Sequence, residues 1–364
     1  WMAVYDDDPN WGGAAILVPY RNWKTYGDMT TMTKFYPQMK KLMDYYTSKT
    51  VNHIMPGRNY SVLSDWGQET AGVNPMVPGE FTITTTYYYM LNAMAEIASF
   101  LGKDVDAKGF LTQAQNTKKA FNERFYKDGV YEYGQQSEFA MPLYYGLVDQ
   151  ENEELVAAKL AERVKKDNYK IKTGEIGLKP LFMSLAKYGY NDIVYQMANQ
   201  TDCPSYGYWV KQGYTTTPEY WDVGAFSQNH CMMDHIEEWF FSQLGGIRNE
   251  GNAFDVIRIE PWIPEDMDHL DVRTRSIYGN IRCHYERGVD NEMNYTFEIP
   301  ANSQANIVLP CLNHQSVFEN GKDVKNGEKG VVSVEYKDGK AYLKMGSGNY
   351  TLQIKKKKPQ ESKR

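Results

Sequence analysis

Apolar positions recur at helical spacing over residues 12–247 and at every second residue thereafter, so the chain divides into a helical part and a strand-rich part. Met90, Met94, Ile97, Ala98 and Leu101 fall on one helical face, and Gly102 follows in a helix-ending position. Phe110, Ala114, Thr117, Phe121 and Phe125 form the next stripe, with Asp106 as its expected N-cap. The short connection predicts antiparallel neighbours. The same theme predicts pairs at 12–26 with 30–48, 82–102 with 106–126, 135–147 with 152–166 and 175–187 with 191–200, followed by a helix at 227–244. Pro19 predicts a kink or a late start in the first of these. Segments 49–80 and 201–226 lack helical period, and loops of that length in a compact domain are usually functional.

No sequence repeat accompanies the hairpins, which argues against a solenoid and for a closed α/α toroid. About nine helices are countable, against the twelve of a six-hairpin toroid, so N-terminal helices are expected to be missing.

Beyond Leu244-Gly245-Gly246, Met293, Tyr295, Phe297 and Ile299 alternate with polar residues. So do Val332, Val334 and Tyr336, then Ala341, Leu343 and Met345, then Tyr350, Leu352 and Ile354. Turn signals stand at Tyr278-Gly279-Asn280, Asn320-Gly321, Asn326-Gly327 and Lys337-Asp338-Gly339. The expected organisation is an α/α toroid over 1–250, an antiparallel β-sandwich over 251–354 and a basic disordered tail over 355–364.

Composition changes this picture little. The chain is 42% hydrophobic and 24% charged, enough for a large core, and a net charge of −6 argues against nucleic acid as a partner. No apolar run is long enough to span a membrane. Cys203, Cys231, Cys283 and Cys311 lack metal or disulfide-scaffold spacing. Sequons stand at Asn59, Asn199, Asn294 and Asn349. The 29 Tyr and 8 Trp offer flat faces for sugars, although composition alone favours a tyrosine-built core.

The richest candidate chemistry is the aromatic loop running from Pro204-Ser205-Tyr206-Gly207-Tyr208-Trp209 through Thr215-Thr216-Thr217-Pro218-Glu219-Tyr220-Trp221-Asp222 to Ser227-Gln228-Asn229-His230. Hydrolysing a sugar acetal needs a carboxylic acid to protonate the leaving oxygen and a carboxylate to attack or to deprotonate water. Glu219, flanked by Pro218 and Tyr220, is the candidate carboxylate; spacing alone leaves open a helix cap or a pairing with a surface lysine. Asp6-Asp7-Asp8-Pro9-Asn10-Trp11-Gly12-Gly13 reads as a cation or hydroxyl site, or as a loop that caps the following helix. Ser64-Asp65-Trp66-Gly67 again sets an acid beside Trp. His230 and His235 are five apart, a spacing that does not put both on one helix face, so no metal and no cofactor are expected.

Taken in order, these motifs resemble glycoside hydrolase family 78, the α-L-rhamnosidases. Pro204-Ser205-Tyr206-Gly207-Tyr208 looks like the family's Pro-Ser-Trp-Gly-Tyr, and Thr216-Thr217-Pro218-Glu219-Tyr220-Trp221-Asp222 is similar to its Glu-centred stretch. Asn229-His230, Thr173-Gly174-Glu175-Ile176-Gly177, Asp65-Trp66, Trp11-Gly12 and Ile299-Pro300-Ala301-Asn302-Ser303 fall in the same order. The resemblance implies a six-hairpin toroid and an inverting mechanism with Glu219 as general base. It implies a rhamnose subsite lined by Trp11, Trp66 and His230, with Tyr206 and Trp221 beside them. The implied partners are a glycoside or oligosaccharide and upstream domains of the same polypeptide; the implied location is outside the cytoplasm.

Three departures from the family pattern stand out. Its general acid lies upstream of the Trp11 position, so this chain is expected to lack the proton donor. Gly13 stands where the family carries Asp, and Pro218 and Tyr206 replace Trp. A non-catalytic carbohydrate-binding relative and a toroid-fold polysaccharide lyase are the competing expectations.

Overall fold

The structure is a computed structural model that describes residues 8–57, 63–222, 224, 227–289 and 292–356. Asp6 and Asp7 of the acidic run, the sequon at Asn59 and the tail beyond Lys356 lie outside the described residues. Chain contacts separate two units, Trp1–Arg21 with Met29–Ile236 and Asn22–Asp28 with Glu237–Arg364.

The helical elements are α1 (Pro9–Gly12), α2 (Ala14–Tyr26), α3 (Thr30–Lys49), α4 (Gly79–Phe100), α5 (Asp104–Phe125), α6 (Gln136–Tyr145), α7 (Glu153–Lys166), α8 (Glu175–Lys187), α9 (Asn191–Ala198), α10 (Tyr206–Lys211) and α11 (Ile236–Trp239). A short hairpin, β1 (Tyr126–Lys127) with β2 (Val130–Tyr131), follows α5. The arrangement is the helical toroid expected for a six-hairpin domain.

The α4/α5 pair shows how the sequence makes a hairpin. Met90, Met94, Ile97 and Ala98 are fully buried, as are Phe121 and Thr117 on the facing helix. Gly102 takes φ +69°, a left-handed turn that lets Lys103 N–H reach the Ala98 carbonyl at 2.8 Å and close the helix end. The start of α5 differs from expectation. The helix begins at Asp104, and Asp106 sits in its first turn, accepting a hydrogen bond from the Tyr36 hydroxyl at 2.9 Å. The helix at 12–26 is also divided, with α2 running through Pro19.

Two further expectations are corrected. The aperiodic 201–226 segment contains α10, whose N-cap Ser205 accepts the Tyr208 N–H. The predicted helix at 227–244 is broken into a 3₁₀ turn at Cys231–Met233, then α11, then a π turn at Phe240–Leu244. The break follows from His230, whose N–H donates to the Thr217 carbonyl at 2.7 Å and so holds the chain extended there.

The second unit is a β-sandwich. Its strands are β3 (Ile247–Asn249), β4 (Val256–Ile259), β5 (His269–Ser276), β6 (Gly279–Arg287), β7 (Met293–Ile299), β8 (Gln304–Pro310), β9 (Gln315–Glu319), β10 (Lys322–Asp323), β11 (Val331–Lys337), β12 (Lys340–Met345) and β13 (Gly348–Lys356). One sheet has the order β10-β9-β13-β7-β6-β5 and the other β11-β12-β8-β4-β3. Inward residues of both, including Ile257, Ile307, Cys283 and Phe297, share one core. Asn320-Gly321 closes β9/β10 and Asp338-Gly339 closes β11/β12, as their sequences predict. Pairing is antiparallel except for β4 beside β8, which is parallel because the chain crosses to the other sheet and back between them. Lys355 and Lys356 continue β13 rather than opening a tail.

Candidate active site

The site assembles around a buried carboxylate that the local sequence alone marks only as an acid beside Trp. Asp65 is fully buried and accepts four hydrogen bonds, from Ser137 Oγ at 2.5 Å and from the backbone N–H groups of Gly174 (2.9 Å), Ile176 (2.9 Å) and Gly177 (2.8 Å). The first amides of a helix have no partner within it, so Asp65 acts as an external cap for α8. Burial raises its carboxyl above the ordinary range, against the pull of Ser137 and the three amides. The two glycines make this approach possible. A Cβ at Gly174 would strike the carbonyls of Trp66 and Asp65, and one at Gly177 would strike Ser137 Oγ and the Asp65 carboxylate.

This clamp fixes what flanks it. Glu175 N–H donates to the Trp66 carbonyl at 2.9 Å, which joins the start of α8 to the Trp66 loop. From that loop the Trp66 indole Nε1 donates to Glu219 Oε1 at 2.9 Å, and its ring lies 5.9 Å from that of Tyr220. The Glu219 segment is itself braced. Glu219 N–H donates to Ser227 O at 3.1 Å, and Thr216 Oγ1 donates to the Gln228 carbonyl. Together with the His230–Thr217 bond, these place Glu219 and His230 side by side. Glu219 Oε2 has Ser227 N–H at 3.4 Å, a long contact.

Glu175 completes the cluster. It is 2% exposed, and its Oε1 lies 2.5 Å from His230 Nε2. Burial, with the negative charges of Glu219 and Asp65 behind it, pushes its carboxyl up to about 8. Glu138, pushed up to about 7 by burial, is a contrasting case. It accepts the N–H groups of Tyr133 and Gln135 at the start of α6 and serves as a cap.

Glu175, Glu219 and His230 each offer an atom within 4.8 Å of the others, the grouping a metal ion needs. Ligands at about 2.1 Å on a tetrahedral ion lie about 3.4 Å apart. The 2.5 Å contact between Glu175 and His230 is far shorter than that.

Of the residues expected at the site, Trp66, Glu219 and His230 are brought together. Trp11 is half-buried on α1, and the N-cap of that helix, Asp8, accepts Leu63 N–H at 2.9 Å near the Trp66 loop. Asp8 thus caps α1 and ties it to the loop. Tyr206 is committed to packing: its hydroxyl donates to the Met233 carbonyl at 2.7 Å and its ring meets Trp209 and Trp221 edge-on. Trp221 corrects the expectation of a sugar-facing ring. It is fully buried, stacked on Trp209 at 4.6 Å, with Nε1 donating to Thr173 O at 2.7 Å, so neither face is open to a sugar. Glu175 was not among the expected residues. An acid at the start of a helix reads as a favourable dipole partner, and nothing local signals its enclosure.

Paired helices carrying a carboxylate held by an indole and neighboured by an imidazole, with a β-sandwich following, define a six-hairpin glycosidase architecture. Residues 2–244 match the family described as the bacterial alpha-L-rhamnosidase 6 hairpin glycosidase domain, and residues 246–323 match the bacterial alpha-L-rhamnosidase C-terminal domain. The chain belongs to the bacterial α-L-rhamnosidase family. It is 28% identical to an α-L-rhamnosidase of Formosa agariphila over 96% of its own length and 38% of that protein's. An α-L-rhamnosidase of Streptomyces avermitilis is 23% identical over 94% of this chain and 33% of the relative. The chain therefore spans about 38% of the first of these relatives. Among solved structures, α-L-rhamnosidase from Dictyoglumus thermophilum superposes with a TM-score of 0.86 at 27% identity, covering 97% of this chain and 40% of that one. The Streptomyces avermitilis enzyme complexed with L-rhamnose superposes at 0.84 with 21% identity, over 95% and 33%, a likeness of fold.

Proposed function

We propose that the protein carrying this chain is an inverting exo-glycoside hydrolase that releases terminal L-rhamnose, with Glu219 as the general base. The observation that carries the reading is the hydrogen bond from Trp66 Nε1 to Glu219 Oε1. It fixes the carboxylate while leaving Oε2, with only the long Ser227 contact, to take a proton from water. Among the described residues no lysine or arginine ion-pairs with Glu219. Trp66 and His230 line the sugar subsite in this reading, joined by Trp11, while Tyr206 and Trp221 stiffen the loop behind them.

An inverting pair of carboxyls stands about 6.5–9.5 Å apart to leave room for sugar and water. Glu175, with an oxygen within 4.8 Å of Glu219, is too close to be the proton donor. The functional division is assigned to a helical catalytic domain over 1–250 and a β domain over 251–354. Glu219→Gln in the full-length natural polypeptide is expected to lower kcat on an aryl α-L-rhamnoside by about 10²–10⁴-fold while rhamnose binding survives. Turnover within about twofold of wild type would remove Glu219 from the mechanism.

A further inference from the structure

Glu175 is a buried carboxyl for which general-base hydrolysis at Glu219 has no use. It is too near Glu219 to be the opposing acid, and α8 has its cap in Asp65. Among the described residues no lysine or arginine pairs with it, and its Oε1 has no aligned hydrogen-bond partner. Yet that oxygen sits 2.5 Å from His230 Nε2. Two bare lone pairs at such a distance repel, so one of the two atoms carries a proton. With Nε2 engaged there, the nitrogen that His230 can turn toward a sugar hydroxyl is Nδ1, and it donates only if it carries the imidazole hydrogen.

We propose that Glu175 is a positioning residue: it keeps its proton and donates it to His230 Nε2, so that the imidazole bears its hydrogen on Nδ1 and presents it to substrate. The inference rests on the reading of Glu219 and His230 given above. The titratable groups facing Glu175 are Asp65, Glu219, Tyr220 and His230, and the nearby carboxylates hold the proton in place by opposing a further negative charge. When Glu175 ionises, with a midpoint of about 8, the imidazole hydrogen moves to Nε2 and Nδ1 becomes an acceptor. Substrate binding then weakens, so the loss above that midpoint falls on KM more than on kcat.

The test uses the full-length natural polypeptide with ¹⁵N-labelled histidine, His230 being assigned by His230→Gln. Below the midpoint, NMR is expected to show a protonated Nδ1 and an unprotonated Nε2, exchanging places above it. Glu175→Gln, whose amide still donates to Nε2, should keep the first tautomer across the range and lose the alkaline rise in KM. Glu175→Ala should lower kcat/KM by about 100-fold, with Glu175→Gln recovering most of that loss. A hydrogen on Nε2 below the midpoint, an imidazolium protonated at both nitrogens, or an unchanged alkaline limb in Glu175→Gln would each overturn the assignment. The tautomer is read without turnover, so failure of the Glu219 reading in Glu219→Gln leaves this result separately interpretable.

Discussion

Glu175→Gln should make the helical unit more stable at neutral pH and scarcely more stable in acid. The folded carboxyl titrates at about 8 against an ordinary value of 4.5, so between these limits the folded state holds a proton that the unfolded chain releases. Stability contributed by a raised carboxyl pKa is present below about 4.5 and lost as pH climbs toward about 8. At pH 7 the unfolded group is about 2.5 pH units past its midpoint, and each unit is worth about 1.4 kcal/mol. Keeping the side chain neutral therefore costs about 3 kcal/mol at that pH. Glutamine is neutral throughout and nearly isosteric, so the variant should gain about 3 kcal/mol at pH 7 and less than about 0.5 kcal/mol at pH 4. The exposure of Glu175, 2%, leaves little solvent to screen the effect. Urea unfolding followed by helical ellipticity at the two pH values measures it, because the helices belong to this unit. An equal gain at both pH values, or no gain at pH 7, would refute the argument that a proton is held on Glu175.

Two further substitutions probe the frame behind the site. Asp65→Ala leaves three helix-start amides and the Ser137 hydroxyl without their acceptor, and should destabilise by about 3–5 kcal/mol in urea. Hydrogen exchange at the amides of Ile176 and Gly177 should rise first; unchanged protection there would show that Asp65 does not cap α8. Trp221→Phe removes the Nε1 bond to Thr173 and part of the stack on Trp209, with an expected loss of about 2–4 kcal/mol. Rhamnose affinity well below the unfolding transition should hardly change, since the ring has no open face. A large affinity loss in a folded protein would return Trp221 to the sugar site.

The helical pairs and the strand alternation were legible because each is a local period. Segment 175–187 and the buried face of Met293, Tyr295, Phe297 and Ile299 match the pattern directly. The motif Gly174-Glu175-Ile176-Gly177 was legible as a string but not in its purpose. Its glycines exist for Asp65, 109 and 112 positions away, and no periodicity registers such an approach. Trp221 failed for the same reason: its neighbours Thr70 and Thr173 come from other parts of the chain, and burial is decided there. The last helix is broken even though 227–244 has helical apolar spacing, because a single backbone bond between His230 and Thr217 holds its start extended. Glu219 could be picked out from its aromatic loop and Trp66 from the family resemblance, but the hydrogen bond that joins them across 153 residues could not.

The central claim, that Glu219 directs a nucleophile to the face opposite the leaving group, is tested most directly by chemical rescue. Replacing Glu219 with alanine leaves space where the carboxylate stood, and azide, needing no deprotonation, can enter it. In the full-length natural polypeptide, Glu219→Ala with an activated aryl α-L-rhamnoside should be nearly inactive alone and recover turnover with azide. The product identified by ¹H NMR should be β-L-rhamnosyl azide. Formation of the α-azide, or undiminished hydrolysis without azide, would contradict the account.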